Sequence, residues 1–179
     1  PRMLSGHFQG RVLSMLSKLI RPVNILEIGT YTGYSALCLC EGMQENGMLH
    51  TIDIKEELVD FQRKHFDKSP WGKQIVQHLG EALDIIPTLD LKFDLVFIDA
   101  DKMNYQKYYD LVIDKVRVGG YIISDNVLWS GKVANIQEGK KIDKDTQNLL
   151  NFNKMCHDDP RTENLLMPIR DGLMISRKL

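Results

Sequence analysis

Apolar and polar positions along the chain fall into two alternating rhythms. Phe8, Val12, Leu16, Leu19 and Ile20 recur at helical spacing after the small-residue start Ser5-Gly6, and the pattern stops near Arg21-Pro22. This spacing predicts an amphipathic first helix with those residues facing inward. Short apolar runs of strand length follow at 23–28, 48–54, 75–78, 93–98 and 121–124. Helical patterns lie between and after them at 35–44, 56–68, 104–116 and 145–157. Strands alternating with helices predict an α/β fold: a mostly parallel sheet with helices on both faces. The closing LLMPIRDGLMISRKL places two strands close together around Arg170-Asp171-Gly172. It predicts an antiparallel hairpin joined to the same sheet.

Nothing in the chain marks an internal boundary, because repeats, low-complexity tracts and Pro/Ser-rich linkers are missing from it. At 179 residues the expectation is a single domain over 1–179. No stretch has the apolar length needed to cross a bilayer, and the first residues lack a secretory-signal pattern. The chain starts without Met, as a trimmed chain or a fragment does. Three cysteines, Cys38, Cys40 and Cys156, form neither a disulfide framework nor a metal cluster. Together these point to a soluble, cytoplasmic protein. A net charge of −1 gives no overall attraction to a polyanion, so a nucleic-acid partner has no support from charge.

In open parallel sheets ligands bind beyond the carboxyl ends of the strands, so polar residues at those ends carry the functional reading. The first strand ends in ILEIGTYTGYSA, where Gly29 and Gly33 permit a tight turn and Tyr34-Ser35 opens a helix with its amino end toward the site. A tight strand-to-helix turn is the plain alternative. The pattern departs from G-x-G-x-x-G, and Glu27 stands where a carboxylate would oppose a dinucleotide pyrophosphate. Asp53 ends the second strand, twenty-four positions after Gly29, where an acid can accept bonds from ribose hydroxyls or simply cap a helix. A small residue in Gly80-Glu81-Ala82 would leave room for an adenine. These features suit S-adenosylmethionine, a ribonucleoside that carries a sulfonium and no phosphate.

The fourth strand runs into Asp99-Ala100-Asp101-Lys102, and the fifth into Asp125-Asn126. A right-handed crossover lets these two strands lie side by side, with both carboxyl ends facing one cleft. Asp99, Asp125 and Asn126 then offer oxygen ligands without His or Cys. Such a set selects Mg²⁺, Mn²⁺ or Ca²⁺ over zinc. An ordinary turn after a strand is the alternative for either end taken alone.

At this point the chain resembles the cation-dependent O-methyltransferases, which include caffeoyl-CoA and catechol O-methyltransferases. The resemblance rests on LEIGTYTGYS, HTIDI, VFIDADKMNYQKYY, VGGYIISDNVLWSGKV and PIRDGLMISRK, in order along nearly the whole chain. It implies a Rossmann-like S-adenosylmethionine-dependent fold with seven strands, and a homodimer. It also implies cofactor contacts at Glu27, Gly29, Ser35, Asp53, Ala82 and Asp101, with Ser5 a weaker match. Metal ligation falls to Asp99, Asp125 and Asn126, with Mg²⁺ first among the candidates, and Lys102 matches the proposed general base. Plant members commonly carry Asn where this chain has Ser130, a position that helps define the acceptor, and the family's amino-terminal helical extension is largely missing here.

The function expected is methyl transfer to a hydroxyl of a small phenolic vicinal diol, such as a caffeoyl ester. Trp129 is a candidate wall of the acceptor pocket, and the polar stretch 132–144 a candidate lid or a solvated loop. Lys102 as a structural ion pair is the alternative to its catalytic role. The same chemistry on a hydroxylated uridine of tRNA is the second reading. A dinucleotide-binding oxidoreductase and a non-catalytic cofactor-binding module rank below it.

Overall fold

The computed structural model describes residues 6–135 and 141–179. Its strands are β1 (Asn24–Ile28), β2 (Met48–Asp53), β3 (Ile75–Leu79), β4 (Phe93–Ile98), β5 (Val116–Ser124), β6 (Thr162–Met167) and β7 (Leu173–Lys178). They form one sheet in the order β3-β2-β1-β4-β5-β7-β6. Every pairing from β3 to β5 is parallel, while β7 pairs antiparallel with both β5 and β6. Strand order therefore reverses between β1 and β4, and the carboxyl ends of those two strands face the same crevice.

The helices are α1 (Gly6–Ile20), α2 (Tyr34–Cys40), α3 (Val59–Phe66), α4 (Ala82–Thr88), α5 (Tyr105–Ile113) and α6 (Lys144–Asp158). One face of the sheet buries Leu26, Val96 and Ile98 with Tyr109 and Val112 of α5 and Phe152 of α6. The other buries Ile25, Leu95 and Phe97 with Leu13 of α1 and Leu39 of α2. Burial on both sides explains why the central strands read as continuous apolar runs rather than alternating ones. Among the described residues, no helix is long and apolar enough to cross a membrane.

Three local expectations are revised. The first helix forms, but Phe8 and Leu19 are 63% and 75% exposed, and the inward face is Gln9, Gly10, Leu13, Ser14 and Ser17. Close approach of α1 to α2 requires this: a Cβ on Gly10 would sit 2.6 Å from the Tyr34 ring, and one on Gly42 2.1 Å from the backbone of Ser17. Ser17 Oγ also donates to the Leu39 carbonyl at 2.5 Å. Small residues win the interface over larger apolar ones because the two backbones leave no room between them. The fifth strand begins at Val116, five residues early, because Gly119-Gly120 forms an irregularity within the strand rather than a turn before it. A seven-residue helix, α4, follows β3 where the pattern predicts none; its brevity and internal Pro87 hid it.

Gly42→Ala is expected to cost about 1–3 kcal/mol, since the added methyl meets backbone that cannot rotate away. Met15→Ala, on the exposed face of α1, stays within about 0.5 kcal/mol of wild type. Urea unfolding of the two variants checks the packing direction of α1, and equal effects would contradict it.

Candidate active site

The carboxyl ends of β1, β2, β4 and β5 open onto a cavity of about 1050 Å³. Gly29, Ser35, Asp53, Ala82, Asp99, Asp101, Lys102, Asp125 and Asn126 all line it. The residues expected from strand ends far apart in sequence thus meet in one place. Ser5 lies outside the described residues, as does the 136–140 part of the stretch read as a lid. Asp53, Glu81, Asp99, Asp101, Asp125, Asp145 and Asp171 face Lys55, Lys102 and Arg170 in the lining, an excess of acid that favours a cationic occupant.

On the β1–β2 side the backbone comes first. Gly29 has φ +101°, and a Cβ there would sit 2.3 Å from the Asp99 carbonyl, so glycine alone lets β1 end this close to β4. Asp53 accepts from the backbone N–H of Tyr31 at 2.6 Å and of Lys55 at 3.0 Å. Those two bonds fix its carboxylate at the cavity lip with lone pairs left for hydroxyl donors. Ala82 begins α4 and is buried, and Gly80 precedes it with φ +144°. Both are small enough to leave a slot for a flat ring.

Glu27 stands apart from the cavity lining. It is fully buried, accepting from Ser35 Oγ at 2.5 Å and Thr51 Oγ1 at 2.6 Å. Burial raises its pKa to about 8, against the pull of those two hydroxyls. Ser35, which does line the cavity, is the link between this buried acid and any occupant.

On the β4–β5 side two carboxylates face one another. Ile98 pairs with Ser124 across the parallel ladder, so Asp99 and Asp125 follow at neighbouring strand ends, and Asp125 N–H donates to the Ile98 carbonyl at 2.9 Å. Burial and the Asp125 charge raise the Asp99 pKa, and burial raises that of Asp125. Asn126, with φ +59°, donates its backbone N–H to Asp125 Oδ1 at 2.7 Å. One buried acid, one part-buried acid and an adjacent amide, with no His or Cys, fit a hard divalent cation. No group of three or more His, Cys, Asp or Glu side chains that could hold a metal gathers among the described residues, and this set contributes two acids and an amide.

Lys102 Nζ donates to Ala100 O at 2.9 Å, Tyr105 Oη at 2.7 Å and Asp99 Oδ1 at 3.4 Å. Asp101 accepts from Tyr108 Oη at 2.5 Å and Asn104 Nδ2 at 2.7 Å. Trp129 and Ser130 line the far wall with φ +48° and +54°, backbone strain concentrated in the loop after β5. Asp171 receives the Ser130 N–H, which ties that loop to the β6–β7 turn.

The lining residues that escaped the sequence reading include Gln9, Tyr108 and Arg170. Tyr108 had a usable signal, lying six residues after Lys102 on a helix that follows a charged strand end. Gln9 had none, because the helical spacing placed Phe8 rather than Gln9 inward. Arg170 sits in the hairpin turn at φ +50°, a conformation that the sequence does not advertise.

Solved structures similar to this chain include O-methyltransferases. The O-methyltransferase of Bacillus cereus in complex with SAH is 28% identical with a TM-score of 0.89, covering 99% of this chain and 84% of that one. TomG of Streptomyces achromogenes, an O-methyltransferase in complex with SAM, is 28% identical with a TM-score of 0.89, covering 99% and 82%. The O-methyltransferase family model matches residues 1–179, and the chain belongs to that family. Caffeoyl-CoA O-methyltransferase of Petroselinum crispum is 36% identical over 186 residues, covering 99% of this chain and 77% of the relative. That of Nicotiana tabacum is 35% identical, covering 99% and 78%.

Glu27 generates a pH prediction. The folded chain keeps its proton up to about pH 8, whereas an unfolded glutamate loses it near 4.5. Between those values the folded state binds the extra proton, so stability falls as pH rises and levels off above about 8. Glu27→Gln removes this contribution while keeping a neutral polar group in place. Urea unfolding between pH 5 and 8 is expected to show wild type losing stability relative to the variant by up to about 1.4 kcal/mol per pH unit. A difference that does not move with pH would contradict the buried neutral acid.

Proposed function

We propose that this chain is one methyltransferase domain that moves a methyl group from S-adenosylmethionine to a hydroxyl of a catechol-like vicinal diol, with a divalent cation, Mg²⁺ before Mn²⁺ or Ca²⁺. The observation that carries the reading is the side-by-side placement of part-buried Asp99 and buried Asp125, with Asn126 next in the chain, in a cavity whose lining also holds Asp53. Relatives named caffeoyl-CoA O-methyltransferase supply the acceptor class, a phenolic small molecule such as a caffeoyl ester.

Each residue then has a task. Asp53 receives the ribose hydroxyls, Gly29 and Ser35 contact the cofactor beside it, Ala82 makes room for the adenine, and Asp101 is a further cofactor contact. Glu27 sets the Ser35 hydroxyl from below. Asp99, Asp125 and Asn126 would hold the cation, which supplies a lowered hydroxyl pKa and a fixed acceptor direction. Two adjacent acceptor oxygens suit such chelation, which is why a vicinal diol is favoured over a lone hydroxyl. Lys102, beside Asp99 on the cavity wall, would take the acceptor's proton as the neutral amine, the form that a nearby cation would favour. Trp129 walls the acceptor side. The remainder of the reading is a cytoplasmic homodimer, consistent with three buried free cysteines.

Chelator is expected to abolish methylation of a catechol or caffeoyl ester, and added Mg²⁺ or Mn²⁺ to restore it. Asp125→Ala should lose activity by at least about 100-fold at saturating cofactor. Lys102→Met should lower kcat by about 10²–10⁴-fold with S-adenosylmethionine affinity unchanged, whereas a purely structural ion pair predicts a loss of stability instead. A parallel arm with tRNA tests the second acceptor class, and methylation of tRNA alone would displace the small-molecule reading. Full activity in chelator would sink the role given to the cation.

A further inference from the structure

Gln9 lies inside α1, 2% exposed, and its Nε2 donates to Asp125 Oδ2 at 2.5 Å across 116 residues of sequence. A buried amide on a helix face otherwise made of Gly10, Leu13, Ser14 and Ser17 needs a partner of its own. It finds that partner in one of the two acids at the ends of β4 and β5. The second oxygen, Oδ1, accepts from the backbone N–H of Asn126 at 2.7 Å. Both oxygens of Asp125 are therefore oriented by neutral donors among the described residues.

Glu27 and Asp53 likewise have only neutral hydrogen-bond donors, whereas two further carboxylates of limited exposure are bonded by cations. Asp94 is bonded by Arg117 and two backbone amides, and Glu41 by Arg11 and Lys18 with Ser14. Those acids are neutralised where they stand, as structural acids are. A guanidinium or ammonium bonded to Asp125 in the same way would cancel the charge that attracts a cation. An amide aims the oxygen and leaves the charge in place.

We infer that Gln9 is a positioning residue for the cation: α1 reaches across the cavity to hold Asp125 in its ligating orientation, although no strand end or motif marks it. The inference rests on the cation reading above and deepens it. It also gives α1 a role beyond covering the sheet. Its small-residue face sets the helix close against α2, and that close setting brings Gln9 within reach of β5. Partners that fix a metal ligand from behind commonly change metal affinity 10–100-fold when removed.

The test is a Mn²⁺ titration of the full chain, read by loss of the free-ion electron paramagnetic resonance signal. Wild type, Gln9→Met, Gln9→Glu and Asp125→Ala are compared. Gln9→Met keeps the shape and removes the donor; it is expected to weaken Mn²⁺ binding 10–100-fold while calorimetric S-adenosylmethionine affinity stays within twofold. Gln9→Glu sets a third acid against Asp125, so its Tm should fall without metal and rise more than wild type's on adding Mn²⁺. Gln9→Met binding Mn²⁺ as wild type does, while Asp125→Ala loses it, would overturn the Gln9 assignment and leave the cation reading standing. Wild type failing to bind Mn²⁺ would overturn both. If Gln9→Met does not fold, the Mn²⁺-dependent Tm shift of Gln9→Glu decides, and a shift equal to wild type's counts against the inference.

Discussion

Two like charges set at the ends of adjacent parallel strands are the constraint around which this molecule is arranged. Asp99 and Asp125 are carried there by the ladder register, because Ile98 and Ser124 are paired and each acid is the next residue on its strand. Burial and mutual repulsion push the Asp99 carboxyl toward its neutral form, and burial does the same to Asp125. Lys102 stands 3.4 Å from Asp99, at the outer limit of a direct contact, and its nearer partners are Ala100 and Tyr105. The local charge is thus left for something that binds, and the surrounding cavity keeps the same sign.

The rest of the fold serves that placement. Order reversal between β1 and β4 opens the crevice, and Gly29 allows β1 to end against the Asp99 carbonyl, where any side chain would collide. The loop after β5 holds Asn126, Trp129 and Ser130 at positive φ, a cost borne by non-glycine residues only where surrounding structure fixes them. The antiparallel β6–β7 hairpin extends the sheet beyond β5, and its turn supplies Asp171 to bind that loop. Glu27, fully buried, joins Thr51 to Ser35 and so ties β2 to the start of α2.

Most of this was legible in the sequence because a doubly covered parallel sheet writes its strands as unbroken apolar runs and its site as polar strand ends. Asp53, Asp99, Asp125 and Asn126 announce themselves in that way. Gln9, Arg170 and α4 did not. Helical spacing ranks residues by size and polarity, whereas α1 chose its inward face by how closely its backbone approaches α2, so Phe8 and Leu19 turned outward. The early start of β5 was hidden by Gly119-Gly120, which mimics a turn in one dimension and forms an irregularity in three. Glu27 reads as a site carboxylate, and in the fold it is buried with hydroxyl donors from Ser35 and Thr51, of which Ser35 lines the cavity.

Anomalous diffraction from crystals grown with Mn²⁺ and S-adenosylmethionine decides whether the acids that follow β4 and β5 form a cation site within a methyl-transfer cavity. The expected result is a peak within about 2.3 Å of oxygens of Asp99, Asp125 and Asn126, with the cofactor ribose on Asp53. A bound cofactor with no anomalous peak at those three residues, in a protein that methylates its acceptor, would contradict it.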